Sequence, residues 1–280
     1  MARPFRRFLF GALVAVALVA GFLLWPPPVP RLTGPIPHEA YVWQRGWTSG
    51  VRAAVAGAGP TLGALVALGA DVEWKEGAPR IVRVRVSHEA LCKSGLPVGL
   101  ALRIGSFSGP FRDEGEPFET IAGLAESLVR ASTEAGVPPR ELQLDFDCAE
   151  SKLDGYRVWV GGLRRRLAPV PVTFTALPSW LDGSAFRRLA RDANGFVIQV
   201  HSFERPRGAD AHLSLCEPVA ARRAVERAAR AGVPFRVALP TYGYLVGFDR
   251  SGKYLGLSAE GPRPKWPADA TLREVSADPA

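Results

Sequence analysis

The chain has 280 residues, of which 47% are hydrophobic, and a formal net charge of +8 at pH 7. This length is enough for one large domain or two small ones. The positive excess is modest and spread along the chain, and basic residues are not interleaved with aromatic ones, so the composition argues against a nucleic-acid partner.

The first predicted element is an export segment at the N-terminus. Arg3, Arg6 and Arg7 precede residues 8–25, which carry no charge. Basic residues ahead of an apolar run favour an N-terminus in the cytoplasm, and residues 8–25 are near the lower length limit for a membrane-spanning helix. The sequence therefore predicts a protein that associates with the inner membrane through residues 8–25.

Cleavage of this segment is the open question. The small-x-small motif at residues 15–17 lies inside the apolar run, which is a poor place for signal peptidase. We therefore expect an uncleaved signal anchor over residues 1–25, with the remaining chain facing the periplasm or cell exterior. A cleaved signal peptide and a secreted protein is the alternative. Residues 26–37 form a stiff Pro-rich linker, and residues 38–280 form the predicted domain.

Strands alternate with helices along this domain. Seven apolar segments have the length of buried strands: 40–44, 65–70, 98–104, 142–147, 170–176, 196–201 and 235–239. They begin about 32 residues apart, the size of one strand-plus-helix unit. Apolar residues at helical spacing predict helices near 118–128, 153–167 and 218–231.

Repeated strand-helix units form either an open doubly wound sheet or a closed (β/α)8 barrel. The first strand is followed by residues 44–47, which lack the glycines of a dinucleotide-binding turn. Polar and aromatic residues recur at the strand ends, which favours a TIM-like barrel of the α/β class. An eighth strand would begin too close to residue 280 for a complete unit. We expect that the chain lacks or truncates its last βα unit, or that a strand near 254–257 replaces it.

Candidate catalytic acids follow the fourth predicted strand. Side chains alternate along a strand, so Asp145 and Asp147 point into the barrel, and Glu150 follows just beyond the strand end. Active sites of such barrels lie at this end. Crowded carboxylates raise one another's pKa, which suits a general acid near neutral pH. Asp145, Asp147 and Glu150 are the predicted catalytic residues.

Other strand ends supply polar and aromatic side chains suited to a sugar ring, whose apolar faces stack on aromatic rings while polar groups bind its hydroxyls. The predicted substrate-binding residues are Trp43, Arg103, Trp180, Gln199, His201 and Tyr242.

Structural interpretations of the same residues remain open. Asp145 and Asp147 could form an internal ion-pair network with Arg103 and Lys152. The acidic stretch could also bind a hard cation such as calcium, although no glycine-containing calcium loop surrounds it. We expect neither a cofactor nor a bound metal.

The three cysteines carry little information about function. An exported location permits disulfides, but the spacing of Cys92, Cys148 and Cys216 neither assigns a pair nor matches a zinc site. We interpret them as small buried thiols.

Five motifs in order resemble one bacterial family. Residues 38–45, 142–156, 175–180, 195–202 and 238–244 are similar to those of exported proteins catalogued as domain of unknown function 3142. The resemblance spans roughly residues 36–260. It implies a TIM-like barrel related to glycoside hydrolases, with a final strand that this chain lacks, and it implies no demonstrated activity.

The acidic stretch is also similar to the fourth-strand Asp-x-Asp-x-Glu pattern of chitinase-type glycosidases. In those enzymes the Glu donates a proton and a preceding Asp orients the acetamido group of the substrate. Here the acid falls one residue later, at Glu150, with Cys148 and Ala149 before it. The resemblance therefore does not transfer the two roles directly.

These observations favour a glycoside-hydrolase-like barrel that acts on an envelope or secreted glycan. Glu150 or Asp147 would protonate the glycosidic oxygen, and Asp145 would stabilise positive charge or position a nucleophile. The alternative is a non-catalytic barrel that binds or scaffolds a carbohydrate. A metal-dependent hydrolase is a third hypothesis.

Overall fold

The computed structural model describes residues 34–201, 205–259 and 264–277. The predicted export segment and residues 26–33 of the predicted linker lie outside these ranges. Among the helices within them, none combines the length and hydropathy required to cross a bilayer.

A curled parallel sheet forms the main body. Its strands, with a hairpin partner and those of a second sheet, are β1 (Glu39–Val42), β2 (Ala64–Lys75), β3 (Ala78–Arg83), β4 (Val98–Ile104), β5 (Glu141–Asp145), β6 (Val172–Ala176), β7 (Phe196–Gln199), β8 (Phe235–Ala238), β9 (Gly243–Phe248), β10 (Tyr254–Ser258) and β11 (Thr271–Ser276). The parallel order is β1-β2-β4-β5-β6-β7-β8, and β3 folds back antiparallel to β2. All seven predicted strands are confirmed, with shifted ends.

Helices connect the parallel strands. They are α1 (Ser49–Ala56), α2 (His88–Ser94), α3 (Phe118–Glu134), α4 (Leu153–Arg166), α5 (Ser184–Asp192) and α6 (Pro218–Ala229). The predicted helices correspond to α3, α4 and α6. The other three escaped prediction because they are short; α1, for example, buries one side chain, Val55.

The sheet curls into an incompletely closed barrel. Within the described residues, β1 pairs with β2 alone and β8 pairs with β7 alone. An Arg236 guanidinium nitrogen nevertheless lies 2.9 Å from a Glu39 carboxylate oxygen, so an ion pair links the two edge strands. The prediction of a TIM-like barrel without its last unit is confirmed.

After β8 the chain forms a second sheet, and within the described residues no further strand is added to the barrel. Strands β9, β10 and β11 form an antiparallel sheet in the order β10-β9-β11, with a small core of Leu215, Val246, Phe248 and Val275. The prediction that residues 254–257 substitute for the eighth barrel strand is wrong. Asp249 accepts hydrogen bonds from the backbone N–H groups of Ser251 and Lys253, which turns the chain back so that β10 pairs with β9.

Candidate active site

Polar side chains occupy the inner face of the sheet in three layers along the barrel axis. The lowest layer lies at the strands' N-terminal end, where buried Glu141 accepts hydrogen bonds from Thr173 at 2.7 Å and from Arg236 at 2.6 Å. Arg140 and Glu39 extend this network. Because each buried charge has a partner, the layer avoids the cost of an isolated ion.

The middle layer joins β5 to β1. The Gln143 amide nitrogen donates to the Tyr41 hydroxyl at 2.7 Å. Burial raises the pKa of Tyr41 to about 12, against the lowering effect of the hydrogen bond from Gln143. The neutral phenol therefore lies between the charged layer below and the acids above.

The upper layer is centred on Asp145, at the C-terminal end of β5. One carboxylate oxygen accepts hydrogen bonds from the Thr175 hydroxyl at 2.8 Å and the Gln199 amide at 3.3 Å. The other oxygen lies 3.7 Å from Nε of Arg103. Strands β4, β5, β6 and β7 thus bring together the predicted residues Arg103, Asp145 and Gln199. The sequence predicts an inward-pointing Asp145, and it predicts Arg103 and Gln199 as substrate-binding residues.

Burial is the main influence on Asp145, and it raises the pKa of that carboxyl. The Thr175 hydrogen bond and Arg103 oppose the rise, whereas the negative charges of Asp147 and Asp71 add to it. Three like charges near one another in a partly dry site favour retention of a proton. The cluster can therefore hold a proton at a higher pH than an isolated Asp.

The other two predicted acids are exposed at the mouth. The charge of Asp147 adds to the raised pKa of Asp145 and opposes the effect of burial, which lowers the pKa of His201. Glu150 begins a short 3₁₀ turn, and its Oε1 lies beside Gly183, at the start of α5. The structure therefore groups Asp145 with Asp147 and places Glu150 at the rim near α5.

The predicted ion-pair network is present only in part. Arg103 contacts Asp145. Within the described ranges, Asp147, Glu150 and Lys152 take part in no ion pair and no side-chain hydrogen bond. Two of the three candidate acids are thus free to meet a ligand.

His201 and Tyr242 form a pair beyond β7. Nδ1 of the histidine lies 2.9 Å from the tyrosine hydroxyl, and the rings meet edge to face. Burial lowers the pKa of His201, and the charge of Asp147 opposes that effect. Burial also raises the pKa of Tyr242. A neutral imidazole and a neutral phenol are suited to hydrogen bonding with hydroxyl groups.

The two predicted tryptophans differ. Trp43 is half-buried and packs edge to face on Tyr41, with ring centroids 5.5 Å apart. Trp180 is 1% exposed and belongs to the main core. The prediction that Trp180 stacks on a sugar is corrected, because a 3₁₀ turn at Pro178–Trp180 directs the indole into the core.

Asp71 is a site residue that sequence reasoning missed. It lies on β2 opposite Arg103 of β4, its charge contributes to the raised pKa of Asp145, and one carboxylate oxygen accepts from Arg45 at 2.9 Å. Its other oxygen is buried without a described hydrogen-bond partner. Alternation along β2, with Ala70 and Val72 buried on either side, was the signal that could have found it.

Within residues 34–201, 205–259 and 264–277, no three His, Cys, Asp or Glu side chains are arranged to hold a metal ion. Cys92, Cys148 and Cys216 are free thiols, of which Cys148 is buried, Cys216 is partly buried and Cys92 is exposed, so the interpretation as small buried thiols is wrong for Cys92. Burial raises the pKa of Cys148 to about 12, so it is protonated and unreactive at neutral pH.

The curled sheet of parallel strands and outer helices has the fold of TIM-barrel enzymes of known structure. The chain superposes on the spore cortex-lytic enzyme SleL of Bacillus cereus with a TM-score of 0.57 at 12% identity, covering 82% of this chain and 57% of that one. For SleL of Bacillus megaterium QM B1551 the TM-score is 0.58 at 16% identity, and the superposition covers 83% of this chain and 57% of that one. For a chitinase of Chromobacterium violaceum ATCC 12472 the TM-score is 0.53 at 14% identity, and the superposition covers 79% of this chain and 73% of that one.

The chain belongs to the family described as Domain of unknown function (DUF3142), whose model matches residues 118–280. It spans 57% of the length of the two cortex-lytic enzymes. A comparison with curated protein sequences gives no match. The structural likeness at these identities establishes the fold, and the predicted family is confirmed.

Proposed function

We propose that the protein is a glycoside hydrolase that acts on an envelope or secreted glycan at the C-terminal end of its barrel. The observation that carries this proposal is the Asp145 cluster, in which a partly buried carboxylate with a raised pKa is held by Thr175, Gln199 and Arg103 beside exposed Asp147. Paired carboxylates in unlike environments are the basis of glycosidic bond cleavage.

The two aspartates would divide the chemistry. Asp147 is exposed and has no described partner, so it can reach the glycosidic oxygen and donate a proton. Asp145 is fixed by two hydrogen bonds, and in its ionised form, which the Thr175 hydrogen bond and the charge of Arg103 favour, it would stabilise positive charge at the anomeric carbon. Glu150, at the rim, is the second candidate for the proton donor, as the sequence predicts.

The carboxylates can be tested singly. We expect Asp147→Asn to lower kcat on a cleaved glycan at least about 100-fold, since general acid catalysis contributes about 10²–10⁴. Glu150→Gln identifies the alternative donor, and Glu134→Gln, an exposed change on α3, is the matched control. Cell-wall and secreted polysaccharides would be screened by reducing-end release. Unchanged turnover in both the Asp147 and Glu150 variants would contradict the assignment.

A non-catalytic carbohydrate-binding barrel is the second candidate. Two observations favour it: Asp145 is already engaged by Arg103, and Ala149 occupies the position two residues after Asp147 where the chitinase-type pattern has an acid. It predicts saturable glycan binding without product release, and binding that survives Asp147→Asn. Calorimetry on the glycans of the hydrolysis screen separates the two functions.

We further propose that residues 8–25 tether the barrel to the inner membrane, with the mouth facing the periplasm or cell exterior. Support comes from the uncharged run behind Arg3, Arg6 and Arg7. Intact-mass analysis of protein from the membrane fraction should find an N-terminus at or next to Met1. A mature N-terminus at residue 21 or later would refute the tether.

A further inference from the structure

A second depression lies beside the mouth, between the segment after β1 and the segment after β3. It has a volume of 550 Å³ and is lined by Arg45, Gly46, Trp47, Arg52, Arg83, Arg85 and Ser87. The role proposed for the mouth uses none of these residues. Four guanidinium groups around one solvent-open cavity are an unusual concentration of positive charge.

Few acids neutralise these arginines. Arg45 contacts Asp71 at 2.9 Å, and no other described carboxylate forms an ion pair with any of the four. Arg52 donates to the backbone carbonyl of Trp47, and Arg83 donates to the Ser127 hydroxyl at 3.2 Å. Within the described ranges, Arg85 has neither a hydrogen bond nor an ion pair. Most of the charge is therefore available to a ligand.

The wall of the depression also contains an unsatisfied donor. Trp47 is 8% exposed, and its indole nitrogen is buried without a hydrogen-bond partner among the described residues. A buried N–H without an acceptor is costly and uncommon. Arg52 donates to the backbone carbonyl of Trp47, so a hydrogen bond joins these two lining residues.

The depression is connected to the mouth. Arg45 lines the depression and pairs with Asp71, which in turn acts on the pKa of Asp145. Because Arg45 contacts Asp71 and also lines the depression, it links the acids of the mouth to Arg83 and Arg85. Guanidinium groups bind carboxylate and phosphate through paired N–H donors.

We propose that this arginine pocket binds an acidic group, carboxylate or phosphate, of the glycan that occupies the mouth. The substrate class is thus an anionic polysaccharide. This inference rests on the proposed function, which assigns a glycan as the substrate, and it adds that this glycan is negatively charged.

Binding to a matched pair of probes tests the pocket. The probes are hexagalacturonate and its methyl ester, which differ in charge and share the same chain; maltohexaose with a terminal phosphate distinguishes a phosphate source. We expect the double variant Arg83→Gln/Arg85→Gln to weaken binding of an acidic probe about tenfold or more at low salt. The methyl ester should bind both proteins equally, and 0.5 M NaCl should reduce the difference between the proteins.

The control is Arg130→Gln/Arg191→Gln, which removes the same charge from exposed positions on α3 and α5. It should leave acidic-probe binding unchanged. Equal weakening in both double variants, or equal wild-type affinity for acid and ester, would overturn the pocket. Those results would leave hydrolysis of neutral glycans intact, whereas failure of the Asp147 and Glu150 tests would leave the charge preference intact, so the two proposals fail separately.

Discussion

At the scale of single residues, the inner face of the barrel is organised by pairs between distant parts of the sequence. Glu141 on β5 contacts Arg236 on β8 and Thr173 on β6, and its side chain is 6% exposed. Burial alone would raise the pKa of Glu141. The hydrogen bond and charge of Arg236, with the Thr173 hydrogen bond and the charge of Arg140, together outweigh burial and hold that pKa below its ordinary value of 4.5.

We predict that Glu141→Gln lowers the free energy of unfolding by about 2 kcal/mol at pH 7, because partly buried Arg236 would lose its main partner and keep only Glu39. A carboxyl with a depressed folded pKa stabilises the protein above its unfolded pKa, and this contribution is lost as pH falls through the folded pKa. The difference from wild type should therefore narrow below pH 4.5. Urea unfolding from pH 7 to pH 3 measures it. Glu134→Gln is the exposed control, and an equal effect in both variants would contradict the prediction.

Among secondary structure elements, α4 depends on glycines for its close packing. A Cβ at Gly162 would lie 2.6 Å from Cζ of Phe118, at the start of α3, and one at Gly155 would lie 2.4 Å from the Phe111 ring. Phe118 is fully buried, so its ring has little room to move. These glycines cost helix propensity, and they let α3 and the preceding loop approach α4.

We predict that Gly162→Ala destabilises the protein by about 1–3 kcal/mol, because the added methyl overpacks a close-packed contact. The adjacent Gly161→Ala is the matched control, since its Cβ would meet nothing nearer than Arg165 Nη1 at 3.7 Å. That variant should gain up to about 1 kcal/mol in helix propensity. Thermal unfolding of both variants measures the predicted loss and the predicted gain of stability. A Gly162→Ala variant more stable than wild type would contradict the prediction, because it would show that α3 can move to make room for the methyl group.

At the scale of the whole molecule, the two edge strands of the open barrel, β1 and β8, are less buried than its central strands. All five residues of β6 are buried, whereas one residue of β1 and one of β8 are. The ion pair of Glu39 with Arg236 and the shared contact of Arg236 with Glu141 hold these edges to the interior. The edges should be the first part of the sheet to open.

We predict that backbone amides of β1 and β8 exchange with solvent faster than those of β5 and β6. Arg236→Gln should accelerate exchange in β1 and β8 further, because it removes the link between them. Arg188→Gln, which breaks the exposed pair with Asp154 on the outer helices, is the control. Hydrogen exchange followed by mass spectrometry resolves these segments, and uniform protection across the seven parallel strands would argue against an open barrel.

The sequence by itself determined the class of fold and much of the upper layer. Apolar runs at regular spacing located the seven parallel strands, and alternation along β5 directed Gln143 and Asp145 inward. These signals are local, because strand periodicity and burial on one face are written into neighbouring residues. The truncated barrel also followed from the spacing of the units.

Tertiary structure decided which residues meet. Asp71 lies in the site because β2 pairs with β4, and Trp180 lies outside it because its ring packs into the core after a 3₁₀ turn. The arginine pocket likewise forms where the segments after β1 and β3 come together. Such contacts join positions far apart in the chain, so the pattern within a single segment cannot predict them. They are fixed by strand pairing and by the burial of whole side chains.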